Sequence, residues 1–377
     1  MRKLASVQKV VSIDEIPGAD RIVKATVLGW QMVTQRSNNL KPGDLVTFFE
    51  IDSLLPLSNP VFDFLKDPNK PEKTHHRLKT IKLKKQVSQG LILPIETVAL
   101  PDGTKLSAQS PELPAGESYH YVNENDDLTD LLEITKWEPE IPAQLKGLVK
   151  GAFPFFISKT DEIRIQSCPG VLERHKGKTF YISEKIDGSS FTCFFIHNQE
   201  QANLCHIKPE DLDEQGTVFG VCSRNMYLTK TEDNSYWKIA LKYDIEAKLR
   251  KLSRSLAIQG EMYGMGIQKN KLKQPSISLA VFNIKDITAD KYLSLSEMEA
   301  LCQELELPMV PILDQNFVLD HTVEQLVNIS MGYSSLLTDK VWREGIVIRP
   351  LIEETDDDLG RLSFKVINPE FLLKYDE

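Results

Sequence analysis

In roughly the first third of the chain, apolar residues come in short β-branched or alternating runs rather than helical stripes. "RIVKATVLGW" (21–30), "DLVTFFEI" (44–51), "HRLKTIKLKK" (76–85) and "SQGLILP" (88–94) all have this form. Pro17-Gly18, Lys41-Pro42-Gly43-Asp44 and Asp102-Gly103 punctuate them as turn signals. Short strands at this spacing predict a small barrel or sandwich, and an OB-like barrel fits residues 1–112. Residues 113–145 mix Pro, Gly and acidic side chains with weak periodicity. The expectation there is a linker with one short helix around "LTDLLEI" (128–134).

From 146 to 377 the pattern alternates between two periods. "TFYISEKIDGSSFTCFFIH" (179–197) reads as strand, turn, strand. "SYWKIALKYDIEAKLRKLS" (235–253) reads as one helix, with Trp237, Leu241, Ile245, Leu249 and Leu252 on a single face. "LAIQGEMYG" and "ISLAVFNIK" are strand-like. "SLSEMEALCQELEL" carries a capping box from Ser294 to Glu297, and "HTVEQLVNISM" predicts a further helix. "REGIVIRP" and "LSFKVI" alternate like paired strands. Strands and helices interleave without regular βαβ order, so the predicted class is α+β.

Composition adds two constraints. Five dispersed cysteines, 168, 193, 205, 222 and 302, form no C-x-x-C pair and no zinc pattern, which suits reduced thiols inside a cell. The first twenty residues have no apolar core followed by a small-residue cleavage site, and no apolar run has membrane-spanning length; no signal peptide and no membrane partner are expected. A net charge of −9 disfavours indiscriminate nucleic-acid binding. The charge is uneven, however. "KTHHRLKTIKLKK" (73–85) holds Lys73, Arg77, Lys79, Lys82, Lys84 and Lys85 and no acid, whereas acids gather in "NENDDLTDLLE" and "EETDDD". The basic segment is a candidate for phosphate-backbone contacts or a solvated strand of the barrel. His75 and His76 have no acidic or cysteine partner at ligand spacing. Gly29-Trp30 fits either a base-stacking platform or a core tryptophan.

"SEKIDGSS" (183–190) raises the chemical question. It is either a hairpin with a solvent ion pair or a lysine nucleophile with acidic company. A lysine of ordinary pKa is neutral in roughly one molecule in 2,500 at pH 7. Neighbouring carboxylates hold the proton on, so a nucleophilic Lys185 requires desolvation or a cation in the same pocket. Asp187, two residues on, emerges on the same face of an extended chain. Gly188 permits close backbone approach or a left-handed turn.

The motifs that follow come in a telling order: "CSRNM" with Arg224, "GEMYG" with Glu261, "AVFNIK" with Phe282, "REGIVIR" with Glu344 and "SFKVINPEFLLK" with Lys365. With "EKIDGSS" at the head, this succession resembles the covalent nucleotidyltransferase superfamily of polynucleotide ligases and mRNA capping enzymes. It is most similar to ATP-dependent RNA ligases that carry an N-terminal OB domain. The resemblance implies a nucleotidyltransferase domain of the ligase and capping type (ATP-grasp-like) at 146–377, with ATP and Mg²⁺ or Mn²⁺ as cofactors. It implies Lys185 attacking the α-phosphate of ATP, Glu184 at adenine, and Asp187 with Gly188 at the ribose and metal-bound water. It further implies Arg224 at ribose or phosphates, Glu261 at the ribose hydroxyls, Phe282 stacked on adenine and Lys365 at the α-phosphate. Asp187, Glu261 and Glu344 would hold metal through water. The implied partner is RNA, or an RNA-containing duplex with a strand break, handled by a monomer. One departure stands out: relatives often carry K-x-K in the last motif, and here the second position is Ile367, with Lys374 the nearest substitute. DNA ligases and capping guanylyltransferases place an OB domain after the nucleophile domain, not before it. A non-catalytic OB-fold RNA-binding protein with a decayed ligase domain is the alternative from another class.

Overall fold

The computed structural model describes residues 2–108, 118–138, 148–231, 234–337 and 340–375. The N-terminal half is a curled antiparallel sheet in the order Trp30–Gln35, Ile22–Val27, Ala5–Glu15, Leu45–Phe49, Leu91–Pro94. A second small sheet joins Ser53–Pro56, His75–Arg77 and Thr135–Lys136. The sequence runs divide more finely than their hydropathy suggests. The first run bends at Leu28-Gly29, where Leu28 is left-handed (φ 52°). "SQGLILP" breaks at Gly90 (φ 118°), where a Cβ would stand 2.7 Å from the Phe49 carbonyl oxygen.

The expected linker is largely part of this barrel. Val122, Leu128, Leu132 and Ile134 are buried with Val7, Phe49, Leu55 and Ile95. "LTDLLEI" makes hydrogen-bonded turns instead of a helix. Ile134 N–H donates to Thr129 O, and Glu133 at φ 55° stops propagation after one turn. The flanks 113–117 and 139–145 lie outside the described residues.

The C-terminal half holds two sheets. Seven antiparallel strands run Val149–Ala152, Met226–Leu228, Val218–Cys222, Ser189–Ile196, Leu256–Tyr263, Ser278–Asp286, Lys291–Tyr292. Five run Ile163–Arg164, Phe364–Ile367, Gly345–Pro350, Thr179–Lys185, Ile312–Val318, with the first pair parallel. Helix Leu295–Glu304 has the expected capping box, and helix Val323–Ser330 has a second one from Thr322 to Gln325. The stretch read as one helix from 235 is two, Ser235–Lys242 and Ile245–Leu252. Asp244 adopts left-handed φ, a conformation acidic side chains tolerate, and the chain turns there. The face therefore shifts, and Leu241 is 56% exposed. The five cysteines are all free, and four are buried. Among the described residues no helix is long and apolar enough to cross a membrane.

Barrel and C-terminal half share a core. Ile367, Phe371 and Leu372, the last two on helix Pro369–Tyr375, are buried among Val10, Val27, Trp30, Met32 and Phe48. Trp30 is fully buried, and its indole N–H donates to Ser167 Oγ at 3.2 Å, so Gly29-Trp30 is an inter-unit contact and not a stacking platform. Gly29 N–H donates to Gln166 O, and a Cβ there would meet Gln166 Cα at 2.9 Å. Phe371→Ala should therefore cost about 3–5 kcal/mol in urea unfolding; a loss below about 1 kcal/mol would mean that this helix is not docked in the barrel.

Candidate active site

Lys185 ends strand Thr179–Lys185, which belongs to the five-stranded sheet, while Ser189–Ile196 belongs to the seven-stranded one. The two strands do not pair, so "KIDGSS" is a crossing between sheets and not a hairpin turn. Two glycines make the crossing tight. At Gly188 a Cβ would lie 2.3 Å from Met262 O and 3.0 Å from Glu261 Cγ. Its φ is not left-handed, so close approach is what requires glycine here. At Gly345, paired with Lys185, a Cβ would lie 2.2 Å from Val366 O. Asn368 N–H donates to Glu344 O and fixes the residue before that glycine.

Lys185 Nζ lies 2.7 Å from Glu344 Oε2, with the two side chains 23% and 15% exposed. Burial alone pushes the lysine pKa down. Glu344, then Glu261 and Asp187, outweigh it and hold the ammonium well above the ordinary value. Glu261 answers in the opposite sense. Burial, reinforced by Glu344 and Asp187 against Lys185, pushes its carboxyl up to about 8. The three acids beside the ammonium, Asp187, Glu261 and Glu344, present an oxygen-only donor set, which suits Mg²⁺ or Mn²⁺. Among the described residues no three His, Cys, Asp or Glu side chains close directly around a metal position.

Asp187 Oδ2 pairs with Lys271 Nζ at 3.0 Å, and Lys271 lies about equally close to the rings of Phe371 (5.0 Å) and Tyr375 (5.1 Å). Sequence reasoning missed Lys271, because "QKNKLKQ" reads as a solvated basic loop. Phe282 sits where the pairing of Leu256–Tyr263 with Ser278–Asp286 slips. Gln259 faces Asn283 and Gly260 faces Val281, so Phe282 is the bulged residue. It packs against a cluster of Ile186, Tyr263, Leu272, Val310 and Val341. Glu184 is buried on the strand face opposite to Lys185, and its carboxylate accepts from Ser334 Oγ and Ser335 N–H.

A cationic group flanks the carboxylates. Lys365 Nζ lies 3.0 Å from Asp161 Oδ1, Arg224 Nη2 lies 3.0 Å from Asp161 Oδ2, and Lys136 Nζ lies 3.3 Å from the same oxygen. Burial, with Lys185 and Arg164 adding to it, lowers the Lys365 pKa despite Asp161. Arg164 is the register partner of Lys365. It pairs with Asp52 at 3.2 Å, yet its Nε and Nη1 are buried with no hydrogen-bond partner among the described residues. Nothing in the sequence marked Arg164 or Asp161. Ile367 faces the shared core, and Lys374 lies over the Tyr375 ring.

The basic segment splits. Arg77 pairs with Asp52 at 2.8 Å and stacks on Trp137 at 3.5 Å, apart from the exposed lysines. Lys82, Lys84 and Lys85 lie on an exposed hairpin, Thr80–Leu83 and Gln86–Gln89, with Lys82 near Glu370 at 3.4 Å. Lys73 is exposed and Lys79 half-buried. Lys84 and Lys85 form the two-residue turn, both left-handed (φ 48° and 67°), where Asn-Gly is the relaxed choice.

The Glu261 shift makes a pH prediction. Between its ordinary pKa of 4.5 and about 8 the folded chain holds a proton that the unfolded chain releases, so stability falls as pH rises through that window. In chelator, Glu261→Gln should lose less melting temperature than the parent between about pH 5 and pH 8.5. Identical pH profiles would refute the assignment.

A family model described as RNA ligase matches residues 178–367, and an OB-fold domain model matches 4–95. Among curated proteins none matches the chain. A solved Naegleria gruberi RNA ligase with PPi is 34% identical, covering 100% of this chain and 99% of that one, at TM-score 0.78. A point mutant of that Naegleria ligase with ATP and Mn is 33% identical, with 98% of each chain covered, at TM-score 0.77. Another, with AMP and Mn, is 34% identical with the same coverage and TM-score. The fold, the order of its motifs and these matches agree, and the chain belongs to the RNA ligase family.

Proposed function

We propose that this ligase uses ATP to join a 3′-hydroxyl to a 5′-phosphate at breaks in RNA, nicks in duplexes above all, through an AMP-lysine at Lys185. The observation that carries the reading is the Lys185 ammonium, held 2.7 Å from Glu344 at the crossing of the two sheets with a cationic group beside it. Lys185 Nζ attacks the α-phosphorus, the bond to the bridging oxygen breaks, and pyrophosphate leaves. AMP then passes to the 5′-phosphate oxygen at the break and frees the amine. The 3′-hydroxyl attacks that activated phosphate, and AMP departs. Each step needs in-line placement and charge neutralisation more than proton relays.

Roles follow from position. Lys365 and Arg224 face the phosphates, and the open donors of Arg164 suit the same anion. Phe282, partly buried at its bulge, would offer a ring face to adenine. Glu184 keeps lone pairs for the adenine amine beyond those used by the two serines. Asp187, Glu261 and Glu344 would hold hydrated Mg²⁺ or Mn²⁺. Such an ion, when bound, supplies positive charge that favours the neutral form of Lys185. One chain carries every group this scheme uses.

Incubation with α-labelled ATP and Mn²⁺ or Mg²⁺ should leave label covalently on the protein, and Lys185→Ala should abolish it. Label persisting in that variant would sink the assignment. The double reversal Lys84→Glu, Lys85→Glu should slow nicked-duplex sealing on the order of tenfold or more, most at moderate salt, because backbone contacts are electrostatic. Self-labelling should persist; equal loss of both activities would assign the hairpin to folding.

A further inference from the structure

We propose that Asp161 is a built-in counter-ion, seated among the phosphate-binding cations of the nucleotide-free enzyme and in competition with incoming phosphate. The proposal rests on reading Lys365 and Arg224 as phosphate ligands. Three cations converge on this one carboxylate, and each comes from a different part of the fold. Lys365 lies on the five-stranded sheet, Arg224 between two strands of the seven-stranded sheet, and Lys136 on a strand paired into the barrel. Together they hold Asp161 well below the usual carboxylate range. Without an anion between them, the three would repel one another.

The surrounding segment does not need Asp161 to stay in place. Glu162 next to it pairs with the buried guanidinium of Arg349 at 2.5 Å. Ser158 O accepts from Gln259 Nε2 at 2.9 Å, and Lys159 Nζ donates to Asn225 Oδ1 at 3.1 Å. The backbone is therefore anchored on both sides, while the Asp161 side chain is 45% exposed. A χ1 rotation into solvent frees all three cations without moving a loop. A phosphate and this carboxylate want the same N–H donors, so one displaces the other. The same competition runs in reverse after nucleotidyl transfer: the returning carboxylate takes back its donors as pyrophosphate leaves.

Calorimetric titration of inorganic pyrophosphate into the full-length chain, without metal, tests this. Asp161→Asn should bind pyrophosphate about three- to tenfold tighter than the parent, since exposed ion pairs are individually weak but three are removed. The gain should shrink as salt rises, and the free variant should melt lower. A residue that only positioned its neighbours would give the opposite, weaker binding. Asp161→Ser, with its fold checked by circular dichroism, guards against a new hydrogen bond from the asparagine and should gain in the same way. Unchanged or weaker binding in both variants, with Lys365→Ala losing affinity, overturns the proposal and leaves the phosphate assignment standing. If Lys365→Ala binds as tightly as the parent, the phosphate assignment fails and the proposal goes with it.

Discussion

Three residues, Ile186 to Gly188, carry the chain from one sheet to another, and the rest of the site follows from that crossing. A lysine ending one sheet comes to face a glutamate, Glu261, in the other. The approach is possible only where side chains are missing, at Gly188 against Met262 O and at Gly345 against Val366 O. Any Cβ at either point would separate the strands by tenths of an ångström or more. The Lys185–Glu344 contact at 2.7 Å would then open. A hairpin would have needed neither glycine.

The crossing also sets the electrostatics. A buried amine is stable among carboxylates only while protonated, so the free site is poised in an unreactive state. Its charges are compensated in pairs: Lys185 with Glu344, Asp187 with Lys271, Lys365 and Arg224 with Asp161. The two less exposed pairs, Lys185 with Glu344 and Asp187 with Lys271, carry most of that compensation, because an unpaired charge is costly where water is scarce. They also define what a substrate must bring. In the proposed reaction a triphosphate would bring negative charge to the lysine and arginine side, and the carboxylate side would take up a divalent ion. Exchange of both partners at once would leave Lys185 short of the acids that hold its proton.

How much of this was legible in the sequence depended on whether a residue acts through its neighbours along the chain or across it. Lys185 and Asp187 stood out as an amine among acids at a turn, and Glu261 and Glu344 through the order of motifs that resembles the ligase superfamily. Phe282 could be named but not aimed, since its direction depends on a bulge set by the slipped pairing with Gln259 and Gly260. Arg77 has partners that its own strand does not show. Its strand is basic, but Asp52 and Trp137, which fix it, lie 25 and 60 positions away. Asp161, Arg164 and Lys271 had no signal, because their partners are brought by sheet register and by the C-terminal helix. The α+β class and most strands were readable from alternation. The break at Asp244 was not, because a helical stripe of apolar residues continues in sequence while the backbone turns in space. The packing of 118–138 on the barrel was hidden by its acids, which face solvent while Leu128, Leu132 and Ile134 face in.

That last packing changes what the barrel does. A barrel on a free linker would present its basic hairpin at varying distances from Lys185. Here the barrel shares a core with helix Pro369–Tyr375, and Gly29 is wedged against Gln166. Lys82 meets Glu370 on the same helix, and Lys136 reaches from the barrel to Asp161. Phe371 of that helix packs against the barrel on one side and Lys271 on the other, and Lys271 holds Asp187. The docking of the barrel and the setting of Asp187 thus meet at one short helix. On the proposed reading, a strand held by the hairpin would thereby be set at a fixed distance from the lysine, the placement that an in-line attack demands.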